Sequence, residues 1–507
     1  MKKTRIIALF LLLATLLGLF ASCGGSGDVV NDGGDRVGDS WEGVNFKGQE
    51  VHFCVSVNQY NEASFPAADI YTKGPDKASS NEVTKTVLAR NKKAEDELNI
   101  KVVYSTKDLH YSKILEDIRT IVTTSSKTSP DIYNNDISGL SRAMVDGLLW
   151  NVKNPGDEVK NYFDFTKDGW YQEYIKGCTF NQDKYYIFAG DYFVDMIRMA
   201  WVVYINHDIF TRNLNSMPEW CTSLDVFYDY VAEGEWDMDL MMDIAGRVHA
   251  DSGVMGVTER NDIVVGLATN NVMNRVYPSS SGITLYYLDK ENSYRPSVIS
   301  DSSQFQRLAQ KYTQLMEAKG VYQSDWSADG LRDNTLHFAE GNVLFVTQRL
   351  GEMESGVLRD FNASKGLVPL PKWNKNEQDY YHTVVHNQAE LGAILNTAKA
   401  YSAASALMQH LNENSKEFVH AYYEKGLKYK YNSDKNSRAM MDLVRECTDD
   451  PFSLTIGNRC EELYTGTGKL SGIDLYKSDT VASTFDSEKD AYVDCMNKMI
   501  EKFNIFD

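Results

Sequence analysis

The chain has 507 residues and a formal net charge of −19, because 71 Asp and Glu outnumber 52 Lys and Arg. Its composition, 43% hydrophobic and 24% charged, is typical of a folded globular protein and excludes a disordered chain, a collagen-like chain and a small disulfide scaffold. The acidity argues against nucleic acid or an anionic membrane face as the main partner, since binding phosphate requires basic side chains. At roughly 150 residues per domain, the length predicts about three domains or two large lobes.

The N-terminus has the pattern of an export signal. Lys2, Lys3 and Arg5 are followed by an uncharged, mostly apolar stretch from Ile6 to Phe20, which is too short for a typical membrane span. Residues 1–22 are therefore predicted to be a signal peptide that is removed on export.

The end of this signal suggests a lipid anchor. The sequence Phe20-Ala-Ser-Cys23 resembles a bacterial lipobox, which implies that Cys23 carries acyl chains such as palmitate and holds the exported protein on the outer face of the cytoplasmic membrane. The alternative is an ordinary signal peptide with an incidental cysteine. Residues 23–44 are rich in Gly and Asp and have few bulky side chains, so we predict a flexible tether.

The other six cysteines are widely spaced and form no C-x-x-C motif of a zinc or redox site. An exported protein can form disulfides, and Cys447 with Cys460 would be the first pair to test. The alternative is that all six are small buried residues. The sequence leaves both open for this set: Cys54, Cys178, Cys221, Cys447, Cys460 and Cys495.

Strands and helices alternate through the first part of the folded chain, which predicts βα units on a largely parallel sheet. In chain order these elements are a strand at 49–57, a helix at 81–99, a strand at 100–104, a helix at 114–122, a strand at 130–133 and a helix at 140–150. Ligands of such sheets bind beyond the carboxyl ends of the strands. This rule points to the segments 58–62 and 134–136.

The rest of the chain mixes long extended segments with helices. The extended segments at 185–191 and 200–206 are together too long for one ordinary strand, so we expect them to cross between two lobes. The further predictions are helices at 222–250 and 301–319, a buried strand at 342–348, an extended crossing at 366–371, strand-like sequence at 380–395, and helices at 402–412, 436–447 and 486–503.

Several short motifs occur in the order found in one protein family. They are Ser129-Pro-Asp-Ile-Tyr133 with Asp146-Gly-Leu-Leu-Trp-Asn-Val152, Tyr185-Tyr-Ile-Phe-Ala-Gly-Asp191 with Val203-Tyr-Ile-Asn-His-Asp-Ile209, Glu233-Gly-Glu-Trp236, Ala339-Glu-Gly-Asn-Val-Leu-Phe345 and Gly366-Leu-Val-Pro-Leu-Pro371. In this order they resemble the extracellular solute-binding lipoproteins of bacterial ABC importers, in the sugar-binding branch that includes maltose-binding protein. The resemblance extends from about residue 45 to residue 505.

This resemblance implies an α/β fold of the type II periplasmic-binding-protein class, with two lobes, a cleft between them and crossing hinge strands. Lobe 1 would comprise residues 45–195 and 366–445, and lobe 2 residues 196–365 and 446–507. A solute would be clamped in the cleft.

A sugar-binding cleft needs polar groups for hydroxyls and aromatic rings for C–H faces. Residues at strand ends and crossings are the candidates: Asn58, Gln59, Tyr60, Asn135, Asp136, Asp191, Trp201, Arg349 and Trp373. Each also has a structural interpretation. Asp136 and Asp191 could be turn or helix-capping residues, Trp201 and Trp373 core residues, and Arg349 a member of a structural ion pair.

No catalytic residue, cofactor or metal ligand is predicted. The sequence has no G-x-S-x-G elbow and no H-E-x-x-H helix. His382 and His386 have the spacing of a helical metal pair, but the sequence around them favours a strand.

The sequence therefore favours a monomeric binding protein that takes up a small solute, most simply a sugar, and delivers it to an ABC permease without catalysis. The alternatives are a surface glycan-degrading enzyme and a glycan- or peptide-binding lipoprotein that is not coupled to transport. Within the importer hypothesis a peptide or a polyamine stays open as the solute.

Overall fold

The computed structural model describes residues 32–57, 69–76, 81–253, 258–270, 273–324, 328–354, 356–361, 364–430, 434–464 and 480–505. The strands are β1 Gln49–Ser56, β2 Ile100–Lys107, β3 Ile132–Asp136, β4 Trp201–Asn206, β5 Val265–Asn270, β6 Tyr286–Asp289, β7 Arg295–Val298, β8 Val321–Ser324, β9 Val343–Arg349, β10 Lys365–Pro369 and β11 Glu390–Ile394.

The α-helices of the described residues are α1 Asp69–Thr72, α2 Glu82–Leu98, α3 Ile114–Thr124, α4 Ile137–Val145, α5 Gln172–Lys176, α6 Asp195–Arg198, α7 His207–Arg212, α8 Leu224–Ala232, α9 Met238–Val248, α10 Met273–Ser281, α11 Ser302–Glu317, α12 Ala328–Ala339, α13 Gly356–Arg359, α14 Tyr401–Glu413, α15 Lys416–Val419, α16 Lys435–Glu446, α17 Arg459–Tyr464 and α18 Val481–Ile505. Residues His420–Lys430 and Phe452–Ile456 form π-helical turns, and Leu350–Glu354 forms a 3-10 turn. None of the helices in the described ranges is long and apolar enough to cross a membrane.

The first sheet has the strand order β11-β3-β1-β2. Strand β1 pairs in parallel with β2 and β3, which confirms the parallel βα units predicted for the first part of the chain. Strand β11 adds to the edge of β3 in the antiparallel direction, so its first residue, Glu390, lies opposite Asp136 at the carboxyl end of β3. This register brings a late segment of the chain to the predicted ligand-binding edge.

The second sheet has the order β10-β4-β9-β5-β8. Strands β5, β8 and β9 are parallel, whereas β4 runs antiparallel to both of its neighbours, β9 and β10. Trp201, at the start of β4, pairs with Arg349 at the end of β9. The amino end of β4 therefore lies at the same edge as the carboxyl end of β9.

The chain passes between the sheets along two adjacent segments. Phe188 forms a bridge with Gly392 in the first sheet, and the chain enters the second sheet at Trp201. The return segment bridges Ala200 through Val385 and then enters β11. The approach at Gly392 is close, because a Cβ on this residue would lie 2.1 Å from Cε2 of Phe188. The crossing predicted around 191–201 thus follows the first of these segments.

Two segments differ from the sequence predictions. The prediction begins the second segment of lobe 1 at residue 366, but residues 365–369 pair with β4 in the second sheet. A strand inside a sheet and an apolar crossing have the same sequence pattern, so the pattern alone did not separate them. Within 380–395, only 390–394 forms a strand. The residue ranges of the lobes as a whole stay a prediction.

Part of the predicted tether is packed against the body. Residues 32–44 belong to the described chain, and within them Trp41 is buried, with its Nε1 donating to Glu413 Oε2 at 3.0 Å. Arg36 pairs with the same carboxylate at 3.0 Å and lies 4.0 Å from the Trp41 ring centroid. Tyr162 Oη also donates to the backbone carbonyl of Asp32, and Lys167 pairs with Asp39, so several contacts dock this stretch. Cys23 and the signal peptide, residues 1–22, lie outside the described residues.

The six cysteines of the described chain are free thiols, and five of them are buried. Cys447 and Cys460, the pair that seemed most worth testing, are not bonded to each other. Burial raises the pKa of the Cys54 thiol to about 12, as expected for a cysteine that acts as a small apolar residue.

Candidate functional site

Polar side chains collect where β3 ends and β11 begins. Asp136 closes β3 and also caps α4, since its Oδ1 accepts hydrogen bonds from the backbone N–H of Ser138 at 2.6 Å and of Gly139 at 3.2 Å. Burial raises the pKa of Asp136 to about 7, although these two backbone donors act in the opposite direction. The capping role considered for Asp136 is therefore present, at the edge of the sheet where a ligand is expected.

Glu390 lies opposite Asp136 and is itself buried. Its Oε2 accepts a hydrogen bond from Asn134 Nδ2 at 3.4 Å, while its Oε1 has no partner among the described residues. The pKa of Glu390 is raised well above its ordinary value, first by burial and then by the neighbouring carboxyl of Asp195. A buried carboxyl with one unpartnered oxygen is costly unless something else binds there.

Helix α6 carries a buried ion pair into this cluster. Arg198 Nε donates to Asp195 Oδ1 at 2.5 Å, and both side chains are fully buried. The other oxygen of Asp195 accepts the backbone N–H of Glu390 at 2.7 Å. The crossing segment and the start of β11 are thereby joined through a single carboxylate.

Trp201 and Arg349 occupy the facing edge of the second sheet. The indole ring of Trp201 stacks on His386, with ring centroids 5.4 Å apart, and its Nε1 has no partner within the described part of the chain. Burial and the charge of Arg349 lower the pKa of His386 to about 3, so this imidazole is neutral. Arg349 itself forms an ion pair with Glu352 at 2.7 Å.

Two further buried polar groups, on Tyr174 and Asn135, have no hydrogen-bond partner among the described residues. The hydroxyl of Tyr174, on α5, is buried and makes no hydrogen bond to the described residues. Its pKa is raised well above the ordinary value by burial, and further by Cys178, Asp450, Asp195 and Asp136. The Nδ2 of Asn135 is also buried without a partner in the described ranges.

The predicted site residues separate into four groups. Asn135 and Asp136 lie at the carboxyl end of β3, and Trp201 and Arg349 lie at the facing edge of the second sheet. Asn58, Gln59 and Tyr60, which were predicted as ligand-binding residues, lie outside the described residues.

Asp191 and Trp373 have other surroundings. Asp191 accepts from Tyr171 Oη at 3.2 Å and pairs with Arg445 at 3.4 Å, and burial raises the pKa of its carboxyl. Trp373 is buried beneath the guanidinium of Arg307, at 5.2 Å from the ring centroid, which matches its core interpretation. Whether either of them touches a solute stays a prediction.

Sequence reasoning missed Glu390, Asp195, Arg198, Tyr174 and His386. A signal was present for three of them. Asp195 and Arg198 interrupt a long apolar stretch at a spacing of three residues, and Glu390 opens a strand that is otherwise apolar. Charged residues in buried segments are rare unless they are paired or functional. Nothing in the sequence indicated that β11 would pair with β3.

The histidine pair does not form a metal site. His382 Nδ1 lies 2.7 Å from Asp449 Oδ2, whereas His386 stacks on Trp201. Among the described residues there is no group of three or more metal-ligating side chains.

The sequence matches no protein-family model and no curated protein. The fold is similar to that of the GacH receptor of Streptomyces glaucescens, solved unliganded and with acarbose, at 12% identity and a TM-score of 0.50, covering 91% of this chain and 100% of that one. An ABC substrate-binding protein from Listeria monocytogenes, solved with cycloalternan, aligns at 13% identity and a TM-score of 0.49 over 90% of this chain and 99% of that one. The similarity to the Streptomyces receptor confirms the two-lobed α/β fold.

Proposed function

We propose that this protein is an extracellular solute-binding protein that captures a carbohydrate or oligosaccharide between its two lobes and delivers it to an ABC permease. The observation that carries this proposal is a set of buried hydrogen-bonding groups without a described partner, three at the sheet edges and one on helix α5: Asn135 Nδ2, Trp201 Nε1, Glu390 Oε1 and Tyr174 Oη. Donors and acceptors of this kind match the hydroxyl groups of a sugar. The Streptomyces receptor of similar fold was solved in complex with acarbose.

The mechanism is binding without catalysis. A solute that contacts the edges of both sheets stabilises the closed arrangement by the contacts it makes only there. The crossing segments, which meet at Ala200 and Val385, would bend as the lobes separate. The permease would then recognise the closed form.

A thermal-shift screen tests the proposal. The mature chain starting at Gly24 is mixed with a panel of mono- and oligosaccharides, and a ligand at 100 times its Kd raises the free energy of unfolding by about 2.7 kcal/mol. If no carbohydrate raises the melting temperature while peptides do, the proposed solute class is wrong. If the protein releases shortened glycan products, it is a surface glycan-degrading enzyme instead.

The anchor and the transport step need separate tests. We propose that acyl chains on Cys23 hold the protein on the outer face of the cytoplasmic membrane as a monomer. Cys23→Ala should move the protein from the membrane fraction to the medium, because the acyl acceptor is gone. Deleting the gene should abolish uptake of the solute, and unchanged uptake would favour a binding lipoprotein that is not coupled to transport.

A further inference from the structure

Carboxylates outnumber their cationic partners around the end of β3. Asp136, Asp195 and Glu390 act on one another electrostatically, and of the three only Asp195 has an ion-pair partner in the described chain, Arg198. The charge of Arg198 also acts on the buried carboxyl of Glu354. One guanidinium therefore serves several carboxyl groups.

The other arginines near Asp136 are engaged elsewhere. Arg142 Nη2 donates to Glu462 Oε1 at 3.0 Å, and Arg459 Nη1 donates to Glu462 Oε2 at 2.7 Å. Both act on Asp136 only through space. Asp136 and Glu390 are thus two neighbouring acidic groups whose charge no described side chain neutralises by direct contact.

Buried polar atoms without a described partner occur on and beside this acidic cluster. Glu390 is 3% exposed, yet its Oε1 lacks a donor among the described residues. Tyr174 and Asn135 are equally buried, at 3% and 2% exposure, and each also has an unpartnered polar atom. These three side chains lie on three different elements, α5, β3 and β11.

We infer that the solute carries a protonated amine, which binds Glu390 Oε1 beside Asp136 while neighbouring solute hydroxyls bind Tyr174 Oη and Asn135 Nδ2. A hydroxyl could fill the place of the missing donor, but a cation also stabilises the ionised form of these carboxyls. A hydrogen bond between an ammonium group and a carboxylate is roughly twice as strong as a neutral one. The inference rests on the proposed function and narrows its solute to an amine-bearing saccharide.

This account makes binding depend on pH. The groups that face Glu390 are Asp136 on β3, Asp195 and Arg198 on α6, and Ser56 on β1. Burial raises the pKa of Asp136 to about 7 and raises that of Glu390 above its ordinary value, so an ammonium ligand that binds the ionised carboxyls displaces protons. Its affinity rises as the pH increases, whereas a neutral sugar that accepts hydrogen bonds from the protonated carboxyls loses affinity.

The test uses β-1,4-linked tetrasaccharides that differ only at one substituent: the glucosamine, the N-acetylglucosamine and the glucose tetramer, with spermidine as an amine without a sugar. Isothermal titration of the mature chain at pH 6 and pH 8 should show that the glucosamine tetramer binds at least 10-fold more tightly than the two neutral tetramers. Titration in two buffers of different ionisation enthalpy should show proton release.

Each outcome decides a different point. If a neutral tetramer binds as tightly as the amine, the inference is wrong and the proposed function stands. If spermidine binds and no saccharide does, the amine is supported and the carbohydrate function is wrong. If no amine-bearing compound binds, the inference is overturned.

A variant separates charge from shape. Glu390→Gln keeps the size of the side chain and removes its charge, and should lower the affinity for the amine at least 10-fold. Asp96→Asn, which changes an exposed carboxylate on α2 paired with Lys92, is the matched control and should change nothing. If Glu390→Gln does not fold, the pH dependence and proton release of the unaltered protein decide the question, and their absence refutes the amine.

Discussion

Two glutamates, the half-buried Glu354 and the buried Glu390, differ in how completely their carboxyl oxygens are hydrogen-bonded. Both have a raised pKa because of burial. Glu354 accepts hydrogen bonds on both oxygens, from Tyr71 Oη at 2.7 Å and from Tyr422 Oη. Glu390 has one oxygen with a weak partner and one with none among the described residues.

The difference indicates what each residue does. Glu354 follows β9 of the second sheet, whereas Tyr71 and Tyr422 belong to elements that pack with α2 beside the first sheet. The Glu354 carboxyl, with both oxygens hydrogen-bonded, therefore links the end of β9 to the elements that carry Tyr71 and Tyr422. One oxygen of Glu390 has no hydrogen-bond donor among the described residues, and we interpret this as a sign that a ligand binds there.

The largest expected loss of stability follows from removing Arg198, whose charge acts on both glutamates. Arg198→Met removes the only ion-pair partner of Asp195 in the described chain and a positive charge that also acts on the carboxyls of Glu354 and Glu390. Removing one partner of a buried pair costs about 3–5 kcal/mol. Urea denaturation measures the loss, and Arg212→Met on the exposed face of α7 is the control. A loss below about 1 kcal/mol would show that the pair does not stabilise the fold.

The next effect is a pH dependence of stability that Asp136 controls. Its pKa in the folded chain, about 7, lies above the ordinary value of 3.8, so the folded state binds more protons between these limits. Stability therefore falls as the pH rises from 5 to 7, by about 2–3 kcal/mol if Asp136 acts alone. Asp136→Asn keeps a capping side chain and should flatten the slope of the unfolding free energy against pH. If the slope does not change, carboxyls other than Asp136 cause the pH dependence of stability.

The comparison itself is tested by matched amide substitutions. Glu354→Gln replaces an acceptor oxygen by a donor, so one of the Tyr71 and Tyr422 hydroxyls loses its partner, at a cost of about 1–3 kcal/mol. Glu390→Gln removes a poorly satisfied acid and should cost less than about 1 kcal/mol without ligand. Thermal and urea unfolding of both variants at pH 7 give the ranking. The reverse ranking would mean that Glu390 is the structural residue.

The smallest effect concerns a third carboxylate, at the surface. Glu413 is well satisfied, by Arg36, Trp41 and Gln409. Arg36→Ala should lower the free energy of unfolding by about 0.5–1 kcal/mol, because the pair is partly solvated. It should also speed limited proteolysis near residues 32–44, and Lys92→Ala on the exposed face of α2 should not. Unchanged proteolysis would show that the other contacts, among them those of Trp41, Tyr162 and Lys167, hold this segment without Arg36.

Periodicity and turn chemistry were sufficient for most of the fold. The alternation of strands and helices up to residue 150 is confirmed, and the long C-terminal helix at Val481–Ile505 extends the predicted 486–503 by a few residues at each end. The predicted helix at 222–250 is instead two helices, α8 and α9, because Gly234 adopts a positive φ of 82° and Asp237 caps a new helix.

The site was less predictable, for a physical reason. Asn135 and Asp136 could be found because they follow a strand in sequence, and strand ends bind ligands. Glu390 reaches the same edge only because β11 pairs with β3 across more than 200 residues of chain, and local sequence patterns do not encode such a pairing. Tyr174 sits on a five-residue helix with no distinguishing pattern, and only its burial without a partner marks it.

A crystal structure of the mature chain with the saccharide that gives the largest thermal shift tests the central claim most directly. The account predicts the solute between the two sheet edges, with its polar groups within hydrogen-bonding distance of Glu390 Oε1, Tyr174 Oη and Asn135 Nδ2. A solute bound on the outer surface of one lobe, with these three atoms still unpartnered, would contradict it.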